Sequence, residues 1–556
     1  MSARARARVD RGVCMSPAMP RTTTAGRRIP GNSPRSHHRN HLHVGFHLLF
    51  PYGKERRPGS RATQISGRCL CFQAKERAMR SSRAAIWFAA AAVGLGSAAP
   101  AFAQDGGYDG GFGVGGRLLI DVSPESNDRA AVMRVLPNGS LLMAGTCTKA
   151  EPDPNGGTYY APTFCATQLT PDGSYDGNFG PGGVGYLRFD RFNAWPNNSR
   201  VADVLRLNDG RLLFMGSGTD GLKAFFALLT ADGSALDPSV GSGYGFFEFQ
   251  YNGTRSSVVK GLQQADGKIL VAGSAIGPNG NTDMAVARFL ADFSALDPAF
   301  GNGGYQTVAF DLGGPTGDNS DAALSMTLQR DGAIVLAGYA ATGTTAAPAV
   351  NLAITRLRPD GQRDITFGPA HDGRVHLALA PQSAVYDIVE DRHGRLVIAG
   401  VATDPTNTKA LWMMDRLLSD GSQDAAFNSG VAQKFLILDA ITGGSQAATR
   451  LALQSDGRIL AGGTVARDNS NGPNQFFGVA RLNQDGSFDT GFGAGNGRSY
   501  GLFGFSSYTD NMVDIAIANG GLMLGGWAGQ TLGSGDDKRF GLVRLKLDLI
   551  FHDDFE

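Results

Sequence analysis

The feature that most constrains this chain is an internal repeat. A dipeptide ending in Gly, five mostly apolar residues and a closing Gly recur as Asn138-Gly139 to Gly145, Asp209-Gly210 to Gly216, Asp266-Gly267 to Gly273 and Asp331-Gly332 to Gly338. Three more copies run from His393-Gly394 to Gly400, Asp456-Gly457 to Gly463 and Asn519-Gly520 to Gly526, so the unit occurs seven times at intervals of 57 to 71 residues. Such a unit buries its apolar faces only by stacking on its neighbours.

Asp-Gly or Asn-Gly between apolar runs is a hairpin signal, because a type I′ turn needs φ > 0 at both central residues. Gly139, Gly210, Gly267, Gly332, Gly394, Gly457 and Gly520 are therefore assigned as structural turn residues. The strand after each turn, Lys268 to Ala272 for example, is apolar on both faces, which predicts a central strand covered above and below. A second element alternates with the first: Asp, two residues, then Phe and usually Gly. It reads Asp109/Phe112, Asp176/Phe179, Asp297/Phe300, Asp364/Phe367, Asp424/Phe427 and Asp489/Phe492, with Asp237/Val240 as a degenerate copy. Ahead of it a strand carries Arg288, Arg356, Arg416, Arg481 or Arg544, with Gln168 and Leu228 in the other two copies. The Asp is read as a turn former and the Phe as a buried plug.

Each unit then holds four short strands, the content of a propeller blade, in which radial stacking covers both faces of every sheet. Seven units use the chain from Gln104 to Leu547. The expected fold is all-β, a seven-bladed β-propeller of four-stranded blades, with no room for another domain. A flat solenoid would need polar caps at both ends, and the sequence offers none.

The unit resembles the delta-60 repeat proteins of exported bacterial origin, with Asp-Gly-Lys-Ile-Leu-Val-Ala-Gly followed by Arg-Leu, Asp-Gly-Ser, Asp and Phe-Gly. Asp266 to Gly273 with Arg288-Phe289 matches it best. The resemblance covers the repeat region and implies a propeller, with no activity attached. The shorter NHL-type repeat is also similar and suggests which strand lies innermost: Ala130 to Leu136, then Ser140 to Thr146, then Phe164 to Leu169, with the strand after each Phe-Gly outermost. On that phasing the seventh blade lacks an outer strand, and Arg117 to Val122 should supply it by pairing with Arg539 to Lys546. The ring is thus expected to be closed by the N-terminal strand. The ending Ile550 to Glu556 faintly resembles short tails on exported proteobacterial proteins.

Gly is 78 of 556 residues, charged residues are 18% and hydrophobic ones 42%. That composition excludes disorder over most of the chain, a coiled coil and a membrane bundle. The net charge of +1 averages two unlike pieces. Residues 1–78 hold 16 Lys+Arg against Asp10, Glu55 and Glu76, whereas from Gln104 onward 33 Lys+Arg face 47 Asp+Glu. Residues 1–78 are expected to be a disordered basic segment, read as an over-extended gene start; the alternatives are an arm neutralising nucleic-acid phosphates or a long export leader. Residues 79–103 read as a signal peptide: Arg80 and Arg83, an apolar run from Ala84 to Leu95, then Ala101 and Ala103, with cleavage after Ala103. The run is too short to span a membrane. Residues 548–556 are left as a C-terminal tail. The acidic mature part discourages nucleic acid and anionic membrane, and a monomer is expected.

After cleavage only Cys147 and Cys165 remain. They flank one predicted hairpin loop with Asn155-Gly156-Gly157 at its centre, and read either as a disulfide or as two unpaired core residues. The mature chain has four histidines, His371, His376, His393 and His552; the first three fall in one unit, and exposed single histidines are the expectation. Gly-x-Gly-x-x-Gly at Gly111 to Gly116 and Gly216 to Gly221 fails as a dinucleotide fingerprint because neither opens a helix. Asp172/Asp176, Asp420/Asp424 and Asp485/Asp489 have spacings that calcium could use, but successive Asx turns give the same spacing. No cofactor is expected. The functional reading is an exported, non-catalytic binding or surface-interaction module for an unidentified protein or glycan, with loop aromatics such as Tyr159, Tyr160 or Trp195 as candidates. The alternative is a propeller enzyme, a hydrolase or lyase, with residues from several blades meeting at the channel mouth.

Overall fold

The structure is a computed structural model that describes residues 105–547, apart from 123–126, 153–155, 189–199, 218–222, 314–318, 344–348, 381, 404–408, 431–433, 437–446, 470–471, 502, 504–509 and 533–534. The basic segment 1–78, the signal peptide 79–103, the tail 548–556, Trp195 and His552 lie outside the described residues. The described residues form seven antiparallel four-stranded sheets, the blades of a seven-bladed propeller. Blades 1 to 7 have as inner strands Arg129–Val135, Arg200–Arg206, Ser256–Gln263, Asp321–Leu328, Ser383–Glu390, Ala447–Leu453 and Asn511–Ala518.

The apolar core is divided among the seven seams between blades. In blade 3, Ile269 and Val271 pack on Leu213 and Phe226 of blade 2, while Leu270 and Ala272 pack on Ile334 and Leu336 of blade 4. Alternate side chains of a strand point to opposite faces, so a second strand that is apolar throughout serves two cores at once. Phe112, Met133 and Met143 meet Met523, Phe540 and Leu542 at the seam of blades 7 and 1. There Arg117–Ile120 pairs antiparallel with the third strand of blade 7, from Arg117 opposite Val543 to Ile120 opposite Phe540. The N-terminal strand therefore closes the ring, in the place its phasing predicts.

The turns correct the sequence reading in six of seven copies. Only Asn519 and Gly520, with φ of 51° and 75° between the paired Ala518 and Gly521, make the expected two-residue turn with both φ positive. Elsewhere the loop has three residues. In blade 3 the Gln264 N–H donates to Lys268 O at 2.8 Å, the Gly267 N–H donates to Gln264 O at 2.9 Å, and of the loop residues only Gly267 has positive φ. This is a type I turn followed by a left-handed residue. It suits Asp266, whose carboxylate accepts the Lys268 N–H at 3.2 Å.

The Asp/Phe element locks each blade to the next. Arg288 Nε donates to Asp297 Oδ2 at 2.9 Å, its guanidinium lies 4.6 Å from the Phe300 centroid, and Nη1 reaches Pro359 O of blade 4 at 2.7 Å. Arg356, Arg416, Arg481 and Arg544 repeat the pairing with Asp364, Asp424, Asp489 and Asp109. In blade 1, Gln168 donates to Asp176 at 2.7 Å instead. Each buried Phe also abuts a turn glycine of the next blade: Phe179 on Gly233, Phe300 on Gly361, Phe367 on Gly421, Phe427 on Gly486, Phe492 on Gly106 and Phe112 on Gly173. The remaining seam, between blades 2 and 3, reverses the sizes. Val240 replaces the Phe, and the space is taken by Phe293, which occupies the glycine position with φ 61° and is buried against Phe226 and Phe289. The degenerate copy is thus a compensated exchange.

Candidate binding face and axial channel

Inner-to-second turns and third-to-outer loops share one face of the ring. Second-to-third hairpins and the connectors between blades share the other. On that second face the blades are unequal. Second strands in blades 2 to 5 have six to eight residues, Leu212–Ser217, Ile269–Ile276, Ile334–Ala341 and Leu396–Thr403. Blade 6 has Ile459–Asn469 paired with Gly472–Leu482, blade 7 Gly521–Leu532 with Gly535–Lys546, and blade 1 Leu141–Pro152 with Thr158–Leu169. At about 3.3 Å per residue, three to four extra residues extend a hairpin by about 10–13 Å. Because closure joins blade 7 to blade 1, the three long ribbons stand side by side.

Their roots are braced. Cys147 lies opposite Thr163 and Cys165 opposite Gly145, and a disulfide joins the two cysteines diagonally across the blade 1 ribbon with Cα atoms 5.9 Å apart. The Asp128 N–H donates to Lys538 O at 2.8 Å and the Asp510 N–H to Gln475 O at 3.2 Å, so connectors run along the ribbon edges. Trp527 is half-buried in blade 7 with the Arg129 guanidinium and the Lys538 ammonium each 5.5 Å from its ring. Tyr159 and Tyr160 lie in the blade 1 ribbon, opposite Glu151 and Ala150.

The inner strands converge on a ring of charge. Each carries a one-residue bulge, and the residues just past it are Val132, Asp203, Lys260, Ser325, Asp387, Arg450 and Asp514. Arg134, two residues beyond Val132, pairs with Asp203 and, at 2.9 Å, with Asp514. Lys260 reaches Ser325 and Asp387, both at 3.1 Å, and Arg450 lies 3.7 Å from Asp514. Each carboxylate also accepts a backbone N–H from the next blade: Gly261 to Asp203 at 2.9 Å, Leu451 to Asp387 at 3.0 Å and Met133 to Asp514 at 3.2 Å. Burial would raise Asp387, but Lys260 and Arg450 outweigh it and hold the carboxyl below the usual range. Three acids and three bases form a neutral, cross-linked ring.

The histidines and aspartates weighed in sequence as metal ligands are not brought together. His376 is exposed on the outer strand of blade 4, His371 lies in the loop before it with φ 51°, and His393 sits on the blade 5 turn, accepting from Arg392 Nε at 3.1 Å. Among the described residues no three His, Cys, Asp or Glu are placed to share a metal ion. Asp420 accepts the Ser422 N–H and hydroxyl, and Asp424 accepts the Ala426 N–H and Arg416. Asp172/Asp176 and Asp485/Asp489 are engaged in the same way. Gly111 to Gly116 leads into a strand, and 218–221 of the second glycine motif are outside the described residues. The ring itself was missed. A signal existed, since its positions stand seven residues ahead of the turn glycine in six copies, as in Asp203 to Gly210, but their chemistry alternates between acid, base and neutral.

Four other acids are raised by burial: Asp510 to about 8, Asp321 to about 7 with Asp283 and Asp311 adding repulsion, and Asp283 and Asp415 to about 6. All four are at most 4% exposed. Among the described residues no helix is long and apolar enough to cross a membrane.

The family described as "Domain of unknown function (DUF5122) beta-propeller" matches residues 264–300, 329–367 and 454–492. No curated protein matches the chain. Similar solved structures include the polysaccharide lyase Uly1, 12% identical over 81% of this chain and 94% of that one with a TM-score of 0.42. PorZ, a surface component of the type-IX secretion system of Porphyromonas gingivalis, is 10% identical over 74% and 46%, with a TM-score of 0.33. An alpha-L-arabinanase of Penicillium chrysogenum, complexed with arabinobiose, is 14% identical over 67% and 99%, with a TM-score of 0.31.

Proposed function

We propose that this chain is an exported, delta-60-type propeller that binds a protein or glycan partner as a monomer, through the wall of three long ribbons on blades 6, 7 and 1. The observation that carries this reading is the unequal hairpin length on one face of an otherwise regular ring. Extra two-stranded ribbon lengthens one face alone, yet it is built three times in succession and braced at its roots, as surface used for contact requires. The wall is polar in sequence, with Asn469, Asn474, Gln475, Gln530, Thr531, Asp536 and Asp537 on its strands, which suits hydrogen-bonded recognition. A disulfide at its root suits an oxidising compartment. Against the enzyme alternative stand the ring carboxylates, all held by cations and backbone N–H groups, and the raised acids, all enclosed by protein.

The test is a glycan array and a panel of surface proteins, probed with the wild-type chain and with a variant whose three ribbons are trimmed to the length of blades 2 to 5. Binding lost on trimming, with unchanged Tm and a monomeric mass, is the expected result. A ligand bound equally by both forms would refute the reading.

A further inference from the structure

We propose that the axial channel is a second binding site, independent of the ribbons, for a small organic monoanion: one carboxylate on an apolar body, entering from the ribbon face. The ring of Asp203, Asp387, Asp514, Arg134, Lys260 and Arg450 is neutral in sum but not in what it shows to solvent. The Arg134, Lys260 and Arg450 side chains are 30%, 23% and 30% exposed, whereas Asp203, Asp387 and Asp514 are 2%, 5% and 9% exposed. Backbone N–H groups of neighbouring inner strands anchor the carboxylates to the wall. The bases bridge between blades: Arg134 of blade 1 touches blades 2 and 7, and Lys260 of blade 3 touches blades 4 and 5. Solvent entering the channel therefore meets the positive ends of the pairs.

Lys260 carries the point of attachment. An ammonium has three protons to donate; its acceptors are Ser325 Oγ and Asp387 Oδ1, which leaves a third for a ligand. One residue nearer the ribbon face on the inner strands are the half-buried bulge residues Ala131, Ala202, Val259, Leu324, Tyr386 and Val513, of which Ala131, Val259 and Val513 also pack in part against the cores between blades. Among these six bulge residues with described side chains five are aliphatic; the seventh bulge position, in blade 6, is Thr449. An apolar collar over a few convergent donors is the construction of a small-molecule site. The buried carboxylates set the charge limit, because a dianion such as phosphate would be repelled by acids only about one hydrogen bond beyond the cations. A cation would meet the bases first.

The experiment is calorimetric titration of the folded chain with benzoate and hexanoate, beside benzyl alcohol and inorganic phosphate. Saturable binding of a carboxylate is expected, at least tenfold tighter than benzyl alcohol or phosphate. Lys260→Gln should weaken it at least tenfold, and Ala131→Trp should abolish it by filling the collar with the charges intact. Lys223→Gln, at an exposed rim pair with Glu248, should leave it unchanged. No saturable binding of either carboxylate, benzyl alcohol bound as tightly, or binding that survives Ala131→Trp would overturn the site. If Lys260→Gln does not fold, the ligand ratios on wild type and the Ala131→Trp result decide it. Trimming the ribbons should leave carboxylate binding intact, so failure here and failure of the ribbon reading are separate results.

Discussion

The exchange of Val240 and Phe293 at the seam of blades 2 and 3 makes a demanding test of how the blades lock. Phe293→Gly removes a ring whose centroid lies 4.5 Å from Phe289, 5.2 Å from Phe247 and 5.4 Å from Phe226. Truncating a buried Phe costs about 3–5 kcal/mol, and relief of a left-handed φ at a non-glycine residue returns about 1–2 kcal/mol. A net loss of about 2–3 kcal/mol follows. Val240→Phe alone forces a second ring into the same space, an overpacking cost of about 1–3 kcal/mol. Additive losses would reach about 5 kcal/mol. The double variant instead rebuilds the Phe-on-Gly contact of the other six seams, so its loss should be about 1–2 kcal/mol, a coupling of about 3 kcal/mol. It should stop short of wild type, because residue 228 is Leu and no guanidinium lies over the new ring. With about 2.1 cal/mol/K per residue over the roughly 440 residues from 105 to 547, 1 kcal/mol moves Tm by about 1 °C. Calorimetry should therefore show each single variant about 2–3 °C below wild type and the double variant less than about 2 °C below. A double variant at the sum of the singles, about 5 °C down, would refute the size exchange.

Gly273→Val should lower stability by about 2–4 kcal/mol in thermal melts, since a Cβ there would lie 1.8 Å from Ser257 O beside the bulge, whereas Gly110→Ala, with nothing within 4 Å, should stay within about 0.5 kcal/mol. Asp510 is raised from 3.8 to about 8, so between pH 4 and 8 the folded state keeps a proton the unfolded chain has lost, and this group makes stability fall as pH rises. Asp510→Asn should flatten that slope, gaining on the order of 3 kcal/mol on wild type between pH 5 and pH 8; parallel Tm-against-pH curves for the two proteins would contradict it. Deleting residues 104–122 removes Gly106, Asp109, Phe112 and the closing strand together, and should lower Tm and raise the mass seen by light scattering far more than deleting 548–556. Equal effects of the two deletions would show that closure contributes little.

What the sequence determined by itself was periodic and local. Seven copies of one hairpin, an apolar second strand with two faces to cover and a strand left over at the N-terminus specify a closed seven-bladed ring, because each follows from strand alternation and turn chemistry within a single unit. Details set by pairing across strands were not legible. The Asp-Gly dipeptide does not reveal whether its two flanking residues pair with each other; they do so only about Asn519-Gly520, and in the other six copies the closing pair lies one residue further back on the first strand, giving a three-residue loop. Two cysteines placed evenly about a loop look directly opposed, yet register sets them diagonally. The repeated Arg reads as a strand residue until the loop folds back and brings the second Asp, as in Arg288 and Asp297, under its guanidinium. The axial ring lay furthest from view. Lys260 and Asp387 are 127 residues apart, and Arg134 and Asp514 are 380 apart. Within one repeat each is only a polar residue beside a bulge. Circular closure puts these positions on a common axis, where burial makes every charge depend on partners in other blades.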